Sequence, residues 1–575
     1  MPSDLQKDHQ PTAAGLAGAV RALGWVEGLE QYLRPFDEAA TYWIRWSLSS
    51  RHVSWKGLLP AGSGGSIVLV DRGWGTSVVT LARQYARVHA IFTDQDLADI
   101  VRARAEWLGL TNITSYTTDG LHAAPLPPAS CDAAALCQVS CDDITPDLAR
   151  ALSEWLRPDA LLFASLLRPR LTLGGILALV RSHRALRSVS NSRTYFRYLG
   201  APVSAAEIVP LRIRTARPRQ IAASLAAPLL SPALAIVGRT GIPGASQFEQ
   251  VLADLAARRG VPRTMLQVER YVFSNPGGLT LQVRDRTRSV SSFVKMPFHP
   301  LATERMLVNH RMLRLLNERQ LVSPTAIPQA EEAGRAGECP YFVEGAVHGR
   351  AVSRRELREE RTGASLQTQA FEWITALHTK TAVAAPMDAP RMERLVIAPL
   401  ESALRFLQTA DNASTLRQLR DFLIRFFDGR TLPLVLSHGD FTLDNMFFDA
   451  SPHPRICAVF DWDLGDIAGL PCLDLLYNIL TIERTRSGSS TVASSASIFR
   501  RTLLQGAYRP LERQAIERYR ASLGIDAEAI APLTLMMWVH HLAIRMRTPE
   551  PAGFSARDWD EVLAALPQLT ASRVV

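Results

Sequence analysis

Short apolar runs separated by helical patterns dominate the first part of the chain. The run at 66–70 (SIVLV) is apolar after its serine, which is typical of a parallel strand buried on both faces. A glycine-rich turn and a stretch with helical spacing follow it, and the alternation then repeats. We therefore predict an α/β domain with a doubly wound, mostly parallel sheet. Its other strands are expected at 88–93, before Asp119, at 126–139 and at 155–165, behind a helical cap at 14–59.

The pattern changes near the turn-forming segment 239–246 (RTGIPGAS), where we expect a domain boundary. Three alternating runs predict antiparallel strands, and long helical stretches follow them. The second domain is therefore expected to be α+β, with a small β-rich lobe and a larger helical lobe. The three runs lie at 267–274, 279–285 and 289–296; the expected boundaries are 1–240 for the first domain, 241–262 for the connector and 263–575 for the second.

The stretch 221–238 carries no charge and is the segment that first suggests a membrane span. It contains two prolines and two serines and is rich in alanine, so we interpret it as a buried segment. No transmembrane segment is expected. Because the predicted connector is short, we expect the two domains to stabilise each other, with 221–238 as the candidate face between them.

The net charge of +9 suggests a nucleic-acid-binding function, but the type and distribution of the basic residues do not support one. Only four of the 64 basic residues are lysines, and the arginines are spread along the chain without a dense basic tract. No nucleic-acid partner is therefore expected. The six cysteines lack CxxC spacing and the amino terminus is polar, which favours a cytoplasmic protein with reduced thiols. The sequence gives no prediction of oligomeric state.

Glycines and acidic residues stand where the predicted parallel strands end. Asp71, Gly73 and Gly75 form the turn after the first strand, where glycine lets a ligand approach the backbone. Asp94 follows the second strand, about twenty residues further on, a position that suits hydrogen bonds to ribose hydroxyls. Asp119 follows the third strand. The order of these motifs resembles the class I S-adenosylmethionine-dependent methyltransferases.

That resemblance covers about residues 60–170 and implies S-adenosylmethionine as a cofactor. It assigns the glycine-rich turn to cofactor binding, Asp94 to the ribose and Asp119 to the adenine. Val78 stands where a third glycine would be needed in a dehydrogenase. Arg72 and Trp74 are unusual in a loop commonly made of small residues. They keep open the alternative of a methyltransferase-like domain that does not bind the cofactor.

The most specific motif lies in the second half of the chain. His438-Gly439-Asp440 follow a strand-like run, and Asn445 comes five residues after the aspartate; a second run at 456–460 leads into Asp461. Phosphoryl transfer needs a carboxylate that accepts a proton from a hydroxyl and oxygen ligands that hold Mg²⁺. Asp440 suits the first role, and Asn445 and Asp461 suit the second.

Two features of the predicted small lobe suit a nucleotide. Lys295 is one of only four lysines and lies near a strand end among apolar neighbours, where phosphate is a suitable partner. The loop before it contains Gly277 and Gly278 and is a candidate to cover the phosphates.

Together these motifs resemble the aminoglycoside phosphotransferase and choline kinase-like family over about residues 262–575. The resemblance implies a protein-kinase-like fold, ATP with Mg²⁺, and an alcohol group as acceptor. It also implies that Tyr341–Gly349 is the hinge strand that binds adenine, which adds Glu344 to the nucleotide-binding residues. His378 matches a Leu-His pair of the family and is interpreted as a packing residue. The motif residues are His438, Gly439, Asp440, Asn445, Asp461, Trp462, Asp463, Pro471, Asp474 and Leu475.

One position departs from the family. Its lysine pairs with a glutamate on the next helix, and Asn309 stands at that place, with Glu304 five residues earlier. Either Glu304 turns into place or the ion pair is missing. A non-catalytic nucleotide-binding regulator therefore remains one hypothesis.

The segment 501–575 holds eight acidic and nine basic residues, so it does not predict the acidic pocket that a polycationic aminoglycoside needs. We expect a hydroxyl acceptor on a neutral or anionic small molecule or glycan. The favoured hypothesis is a bifunctional enzyme with phosphotransferase and methyltransferase activities. The alternatives are a small-molecule kinase with a non-catalytic methyltransferase-like domain, and the regulator.

Overall fold

The structure is a computed structural model, and the chain divides into two compact units. Unit 1 comprises Met1–Thr303 with Glu332–Val343, and unit 2 comprises Glu304–Glu331 with Glu344–Val575. The described residues are 12–33, 65–71, 74–167, 192–200, 206–211, 233–239, 247–274, 278–298, 300–323, 326–407, 412–451, 454–487, 496–546 and 562–566, with isolated positions at 36, 48, 177–178, 181–182, 185–186, 189 and 559.

Five parallel strands form the centre of unit 1 in the order β3-β2-β1-β4-β5. This is the doubly wound order. Helices connect the strands, so the predicted α/β class is confirmed. The strands are β1 (Ser66–Asp71), β2 (Arg87–Phe92), β3 (Ile113–Thr117), β4 (Cys131–Val139) and β5 (Leu156–Leu167), and the helices are α1 (Ala13–Leu23), α2 (Trp25–Leu33), α3 (Thr76–Leu81), α4 (Gln95–Trp107) and α5 (Pro146–Trp155).

Strand β1 shows why a continuous apolar run forms the centre of this sheet. All six of its residues are buried. Ile67 and Leu69 belong to one core cluster, whereas Val68 and Val70 belong to another. Successive side chains of a strand point to opposite faces, so both faces of β1 are covered by apolar groups.

Antiparallel strands continue this sheet beyond β5. β8 (Ala233–Arg239) pairs with β5 and with β6 (Ser192–Gly200), and β6 pairs with β7 (Ala206–Leu211). Residues 221–232 of the uncharged stretch lie outside the described residues. The rest of the stretch, 233–238, belongs to β8. Its proposed place between two domains stays a prediction.

The predicted β-rich lobe is present. Its strands follow the order β12-β13-β11-β10-β9, and β10 is antiparallel to both β9 and β11. A helix that begins at Gln247 precedes these strands. The elements are α6 (Gln247–Arg259), β9 (Leu266–Ser274), β10 (Gly278–Asp285), β11 (Val290–Pro297), α7 (Pro300–Glu318), β12 (Ala330–Ala336) and β13 (Cys339–Gly345).

Unit 2 is mainly helical beyond β13, which confirms the predicted helical lobe. Its helices surround a small sheet of order β14-β15-β18 and a hairpin of β16 and β17. The elements are α8 (Arg354–Arg358), α9 (Glu360–Thr381), β14 (Val383–Pro386), α10 (Ala389–Met392), α11 (Ala398–Leu407), α12 (Ala413–Phe427), β15 (Thr431–Ser437), β16 (Met446–Phe448), β17 (Ile456–Val459), β18 (Asp466–Gly469), α13 (Leu473–Arg486), α14 (Pro510–Leu523) and α15 (Ile530–Met546).

A π-helical turn, Glu393–Ile397, joins α10 to α11. In the described part of the chain, one helical stretch, Ala527–Ile544, is long and apolar enough to cross a membrane. Buried core helices meet the same criterion, and α15 within this stretch buries Leu533, Met536 and Trp538 in the core of unit 2.

Candidate functional site

The loop after β15 forms the base of the candidate site in unit 2. β15 is a buried central strand, and it ends directly before His438-Gly439-Asp440. Gly439 has a φ of 81°, and a Cβ there would lie 2.2 Å from the carbonyl oxygen of Leu464. Glycine is therefore required both by the backbone conformation and by the close approach of the next loop.

Asp474, in the first turn of α13, fixes this loop from behind. Its carboxylate accepts hydrogen bonds from the backbone N–H groups of His438, at 2.7 Å, and Gly439, at 2.8 Å. Burial alone would raise the pKa of Asp474, but its interactions with His378, His438 and the backbone N–H outweigh burial and lower the pKa below its ordinary value. Asp474 therefore stays ionised in the interior and orients the loop 438–440.

His378 supports Asp474 from α9. Its Nε2 lies 3.2 Å from Asp474 Oδ2, and its Nδ1 lies 2.6 Å from the hydroxyl oxygen of Tyr519. That oxygen also accepts a hydrogen bond from the backbone N–H of Cys472, so the hydroxyl proton is directed to Nδ1 and the ring proton to Nε2. All these side chains are buried. The interpretation of His378 as a packing residue agrees with this environment, whereas Tyr519 carried no signal in the sequence.

The structure brings Asp440, Asn445 and Asp461 together. Asn445 Nδ2 donates to the backbone oxygen of Asp440 at 2.8 Å and to its Oδ2 at 3.1 Å. The hairpin of β16 and β17 begins directly after Asn445. The carbonyl oxygen of Asn445 accepts a hydrogen bond from the N–H of Phe460 at 3.1 Å. Asp461 is the next residue. The spacing of these three residues therefore reflects one hairpin that starts and ends at the site.

Asp461 has a left-handed backbone with φ of 68°, which is unusual for a residue with a side chain. Such a conformation costs about 1–3 kcal/mol and persists only where the surroundings hold it. Trp462, directly after it, is completely buried, and its ring lies 4.5 Å from that of His438. The strained residue is therefore attached to a fixed neighbour.

Oxygen ligands at this site fit a hard divalent cation. Because Asn445 Nδ2 faces Asp440, its amide oxygen is on the other side of the group, and Asp461 adds a carboxylate. Amide and carboxylate oxygens with phosphate and water complete the usual shell of Mg²⁺. In the part of the chain that the structure describes, no group of three or more His, Cys, Asp or Glu side chains is arranged to hold a metal.

A cavity of about 590 Å³ adjoins the loop 438–440. Ser437 and Gly439 contribute to its wall, and Arg394 comes from the π-helical turn. Asp466 forms an ion pair with Arg394, and Asp463 Oδ2 lies 3.7 Å from the guanidinium of Arg305. His540 and His541 of α15 complete one side. Asp463 and Asp466 are thus accompanied by arginines, and Glu304 also lines the cavity.

Asn309 and Glu344 are hydrogen-bonded to each other. Asn309 Nδ2 donates to Glu344 Oε2 at 3.0 Å, and Asn309 Oδ1 accepts from the N–H of Trp462 at 2.9 Å. Both side chains are buried. The sequence placed Glu344 on the hinge strand but did not predict its side-chain contact with α7.

The remaining predicted nucleotide-binding residues belong to unit 1. Lys295 lies in β11, opposite Thr280 of β10, between the buried Val294 and Met296. Gly278 is the first residue of β10, whereas Gly277 lies outside the described residues. Their contact with a nucleotide stays a prediction.

In unit 1, two predicted cofactor residues have structural contacts. Asp71 Oδ2 accepts from the backbone N–H of Ser77, at 2.9 Å, near the start of α3. Asp94 is the N-cap of α4 and accepts from the N–H of Asp96 at 2.8 Å. Asp119 lies exposed after β3. Their roles toward a cofactor stay predictions.

A buried arginine of α4 stabilises the glycine-rich turn after β1. Gly73 lies outside the described residues; Gly75 is the N-cap of α3 with a φ of 77°. The buried Arg104 donates to the backbone oxygens of Trp74, at 2.7 Å, and Leu48, at 3.1 Å. Its guanidinium also lies 5.1 Å from the centre of the Trp25 ring. Arg104 carried no signal in the sequence.

Comparison with known protein families places residues 275–489 in a phosphotransferase enzyme family domain (APH). The matched segment contains all the motif residues from Asp440 to Asp474, so the predicted resemblance of the second half is confirmed. No curated protein matches the chain.

Solved structures match the first part of the chain at low similarity. A SAM-dependent methyltransferase from Aquifex aeolicus is 13% identical over 36% of this chain and 99% of its own, with a TM-score of 0.23. Geranyl diphosphate C-methyltransferase from Streptomyces coelicolor A3(2) is 15% identical over 37% and 83%, with a TM-score of 0.23. The [4+2]-cyclase SpnF is 16% identical over 40% and 97%, with a TM-score of 0.24.

Proposed function

We propose that this chain is an ATP-dependent phosphotransferase that phosphorylates a hydroxyl group of a small molecule or glycan. The observation that carries the proposal is the hydrogen bond from Asn445 Nδ2 to Asp440 Oδ2, together with the hairpin that continues to Asp461. This arrangement supplies a carboxylate for the acceptor hydroxyl beside two oxygen ligands for a metal. The family domain at 275–489 supports the same activity class.

In this proposal Asp440 orients the acceptor hydroxyl and accepts its proton. Asn445 orients the carboxylate of Asp440 through Nδ2 and, with Asp461, holds Mg²⁺. The bound ion supplies positive charge that neutralises the phosphates of ATP. Lys295, Gly277 and Gly278 are proposed to bind the phosphates, and the strand that contains Glu344 is proposed to bind the adenine.

The cavity beside the catalytic loop is the proposed acceptor site. A polycation would need a surplus of carboxylates, but Asp463 lies close to Arg305 and Asp466 is paired with Arg394. Asp474 is occupied by the backbone of the catalytic loop. With Glu304, the lining holds four carboxylates and three arginines, which is a near balance of charge. It therefore favours a neutral or anionic acceptor over an aminoglycoside.

Calorimetry and isotope transfer test the proposal. Wild-type protein should bind a non-hydrolysable ATP analogue only with Mg²⁺ present, and Asp461→Asn should lose this binding. Asp440→Asn should bind the analogue normally yet transfer labelled γ-phosphate to a metabolite extract about 10²–10⁴-fold more slowly, because the base is removed.

The matched control is Asp444→Asn, an exposed carboxylate in the same loop. It changes the charge by the same amount and should leave both binding and transfer unchanged. If wild-type protein binds no ATP analogue, or if Asp440→Asn transfers phosphate at the wild-type rate, the proposed function is wrong.

A methyltransferase activity of unit 1 is the second candidate. It is favoured by the strand order β3-β2-β1-β4-β5 and by the turn after β1, which begins α3 at Gly75. With it, the chain would be bifunctional. Titration of the full chain with S-adenosylmethionine and its demethylated product tests this candidate. Binding of either one supports it, and absence of heat and of a thermal shift with both favours a non-catalytic methyltransferase-like domain.

A further inference from the structure

The departure at Asn309 is explained by its two partners. The N–H of Trp462 requires an acceptor, and the carboxylate of Glu344 requires a donor. A side-chain amide supplies both, with Oδ1 toward Trp462 and Nδ2 toward Glu344. A glutamate at this position would set a second carboxylate against Glu344. Because Asn309 and Glu344 are only 2% and 7% exposed, that repulsion would be weakly screened.

The hydrogen bond to Trp462 acts on the peptide group that follows Asp461. This peptide group lies next to the left-handed backbone of Asp461, whose φ is 68°. Strain of this kind needs fixed surroundings. The indole of Trp462 is fixed separately, because its Nε1 donates to the oxygen of Val459 at 3.3 Å and its ring lies against His438. Asn309 therefore holds the backbone at the point where the proposed metal ligand is attached.

We propose that Asn309 is a positioning residue of the phosphotransferase site: its amide fixes the Asp461–Trp462 peptide and thereby sets the carboxylate of Asp461 for Mg²⁺, with Glu344 as its orienting partner. This inference rests on the proposed function, since it concerns the metal ligand of that site. It assigns Asn309 a role toward Asp461 in place of the glutamate expected from the family.

Reversing the polarity of the buried pair tests the inference. In Asn309→Asp, one carboxylate oxygen still faces the N–H of Trp462, but the other faces Glu344 Oε2, and the two charges repel. In the double variant with Glu344→Gln, the new amide can donate to the new carboxylate, so the same bond is restored with donor and acceptor exchanged. Glu344→Gln alone keeps an acceptor for Asn309 Nδ2.

The readout is the Mg²⁺ concentration that gives half-maximal binding of a non-hydrolysable ATP analogue, measured by calorimetry. We expect it to rise at least about fivefold in Asn309→Asp, because charge repulsion displaces the anchor of Asp461. Glu344→Gln alone is the reference for the double variant, and we expect the double variant to need the same Mg²⁺ concentration as this reference. A purely structural residue would lower the melting temperature and the folded fraction without changing this concentration.

Asn317→Asp is the matched control, because it makes the same change further along α7. Asn317 Oδ1 accepts from the N–H of Ala330 at 3.0 Å, an interaction that aspartate preserves. The control should leave the Mg²⁺ dependence unchanged. If Asn309→Asp does not fold, the double variant decides. A double variant with the Mg²⁺ dependence of Glu344→Gln supports the inference, and a double variant that is unfolded or needs more Mg²⁺ than Glu344→Gln overturns it.

The outcomes separate the inference from the proposed function. Wild-type protein that binds no nucleotide would overturn both. Wild-type protein that binds normally, with a change of less than about fivefold in Asn309→Asp or without recovery in the double variant, would overturn only the positioning role of Asn309.

Discussion

Acidic side chains lie at or just after the ends of strands in both units, but their hydrogen-bond partners differ between the units. In unit 2, Asp440 accepts from the side chain of Asn445, and the strained backbone of Asp461 is followed by a peptide that Asn309 binds. In unit 1, Asp71 and Asp94 accept from backbone N–H groups at the starts of the helices that come next. An aspartate after a strand is therefore a candidate both for a ligand contact and for a helix cap.

The two roles differ in how far away along the chain the supporting residues lie. A cap needs only the next few residues, whereas the site in unit 2 depends on residues far away in the chain. Asp474 binds the loop 36 and 35 residues before it, and Asn309 binds Trp462 across 153 residues. Long-range support of this kind distinguishes the aspartates of unit 2 from the two capping aspartates of unit 1.

The largest effect is expected at Asp474. Asp474→Asn should slow phosphoryl transfer by about 100-fold or more and lower the free energy of unfolding by about 3–5 kcal/mol, because an amide group would oppose one of two buried N–H donors. Urea denaturation and labelled-phosphate transfer measure these changes. Asp421→Asn, at an exposed position of α12, is the control. Wild-type transfer by the Asp474 variant would show that the loop needs no such support.

Asp474 also predicts a dependence of stability on pH. Its pKa is lowered in the folded state, so its stabilising contribution is complete above the pKa of an unfolded aspartate, about 4, and is lost as the pH falls through the folded-state value. Denaturation of wild-type protein between neutral pH and about pH 3 should show this acid-side loss. The loss should be smaller in Asp474→Asn, and an equal loss in both proteins would contradict the assignment.

A smaller effect is expected at the glycine turn of unit 1. Arg104→Met leaves the backbone oxygens of Trp74 and Leu48 without their donor, and should lower the free energy of unfolding by about 2–4 kcal/mol. Arg102→Met removes a more exposed arginine of the same helix and should cost about 0.5 kcal/mol or less. Equal costs for the two variants would mean that Arg104 does not hold the turn.

The smallest effect separates the two roles of Asp94. Asp94→Ala should destabilise unit 1 by about 1 kcal/mol through loss of the N-cap, whereas Asp94→Asn should cost only a few tenths, since asparagine caps equally well. Calorimetry with S-adenosylmethionine then isolates the ligand role. If the chain binds the cofactor and Asp94→Asn binds it as tightly as wild type, Asp94 is a cap only and its predicted ribose contact is wrong.

The sequence predicts those features of the fold and the site that depend on neighbouring residues. The apolar run of β1 and the spacing from Asp440 to Asn445 both come from neighbouring residues, and the structure brings Asp440, Asn445 and Asp461 together. The capping role of Asp94 was not predicted, although an acidic residue directly before a helical pattern is an N-cap signal.

The contacts of Asn309, Tyr519 and Arg104 were not predictable in this way. Asn309 lies 35 residues from Glu344, and Tyr519 lies 141 residues from His378. The periodicity of one helix or strand does not show which other elements will pack against it. These partners are therefore seen only in the folded structure. The departure at Asn309 was visible as a difference from the family, but its reason required Glu344.

The π-helical turn at Glu393–Ile397 makes one wall of the cavity adjustable by a single residue. It carries Arg394 and Leu395 into that wall, and the carbonyl oxygen of Leu395 lies 2.8 Å from His540 Nε2. A π turn contains one residue more than an α turn, so deletion of one residue here would let α10 continue into α11 as a regular helix. We expect such a deletion to remove the bulge from the wall of the cavity while Asp440, Asn445 and Asp461 stay in place.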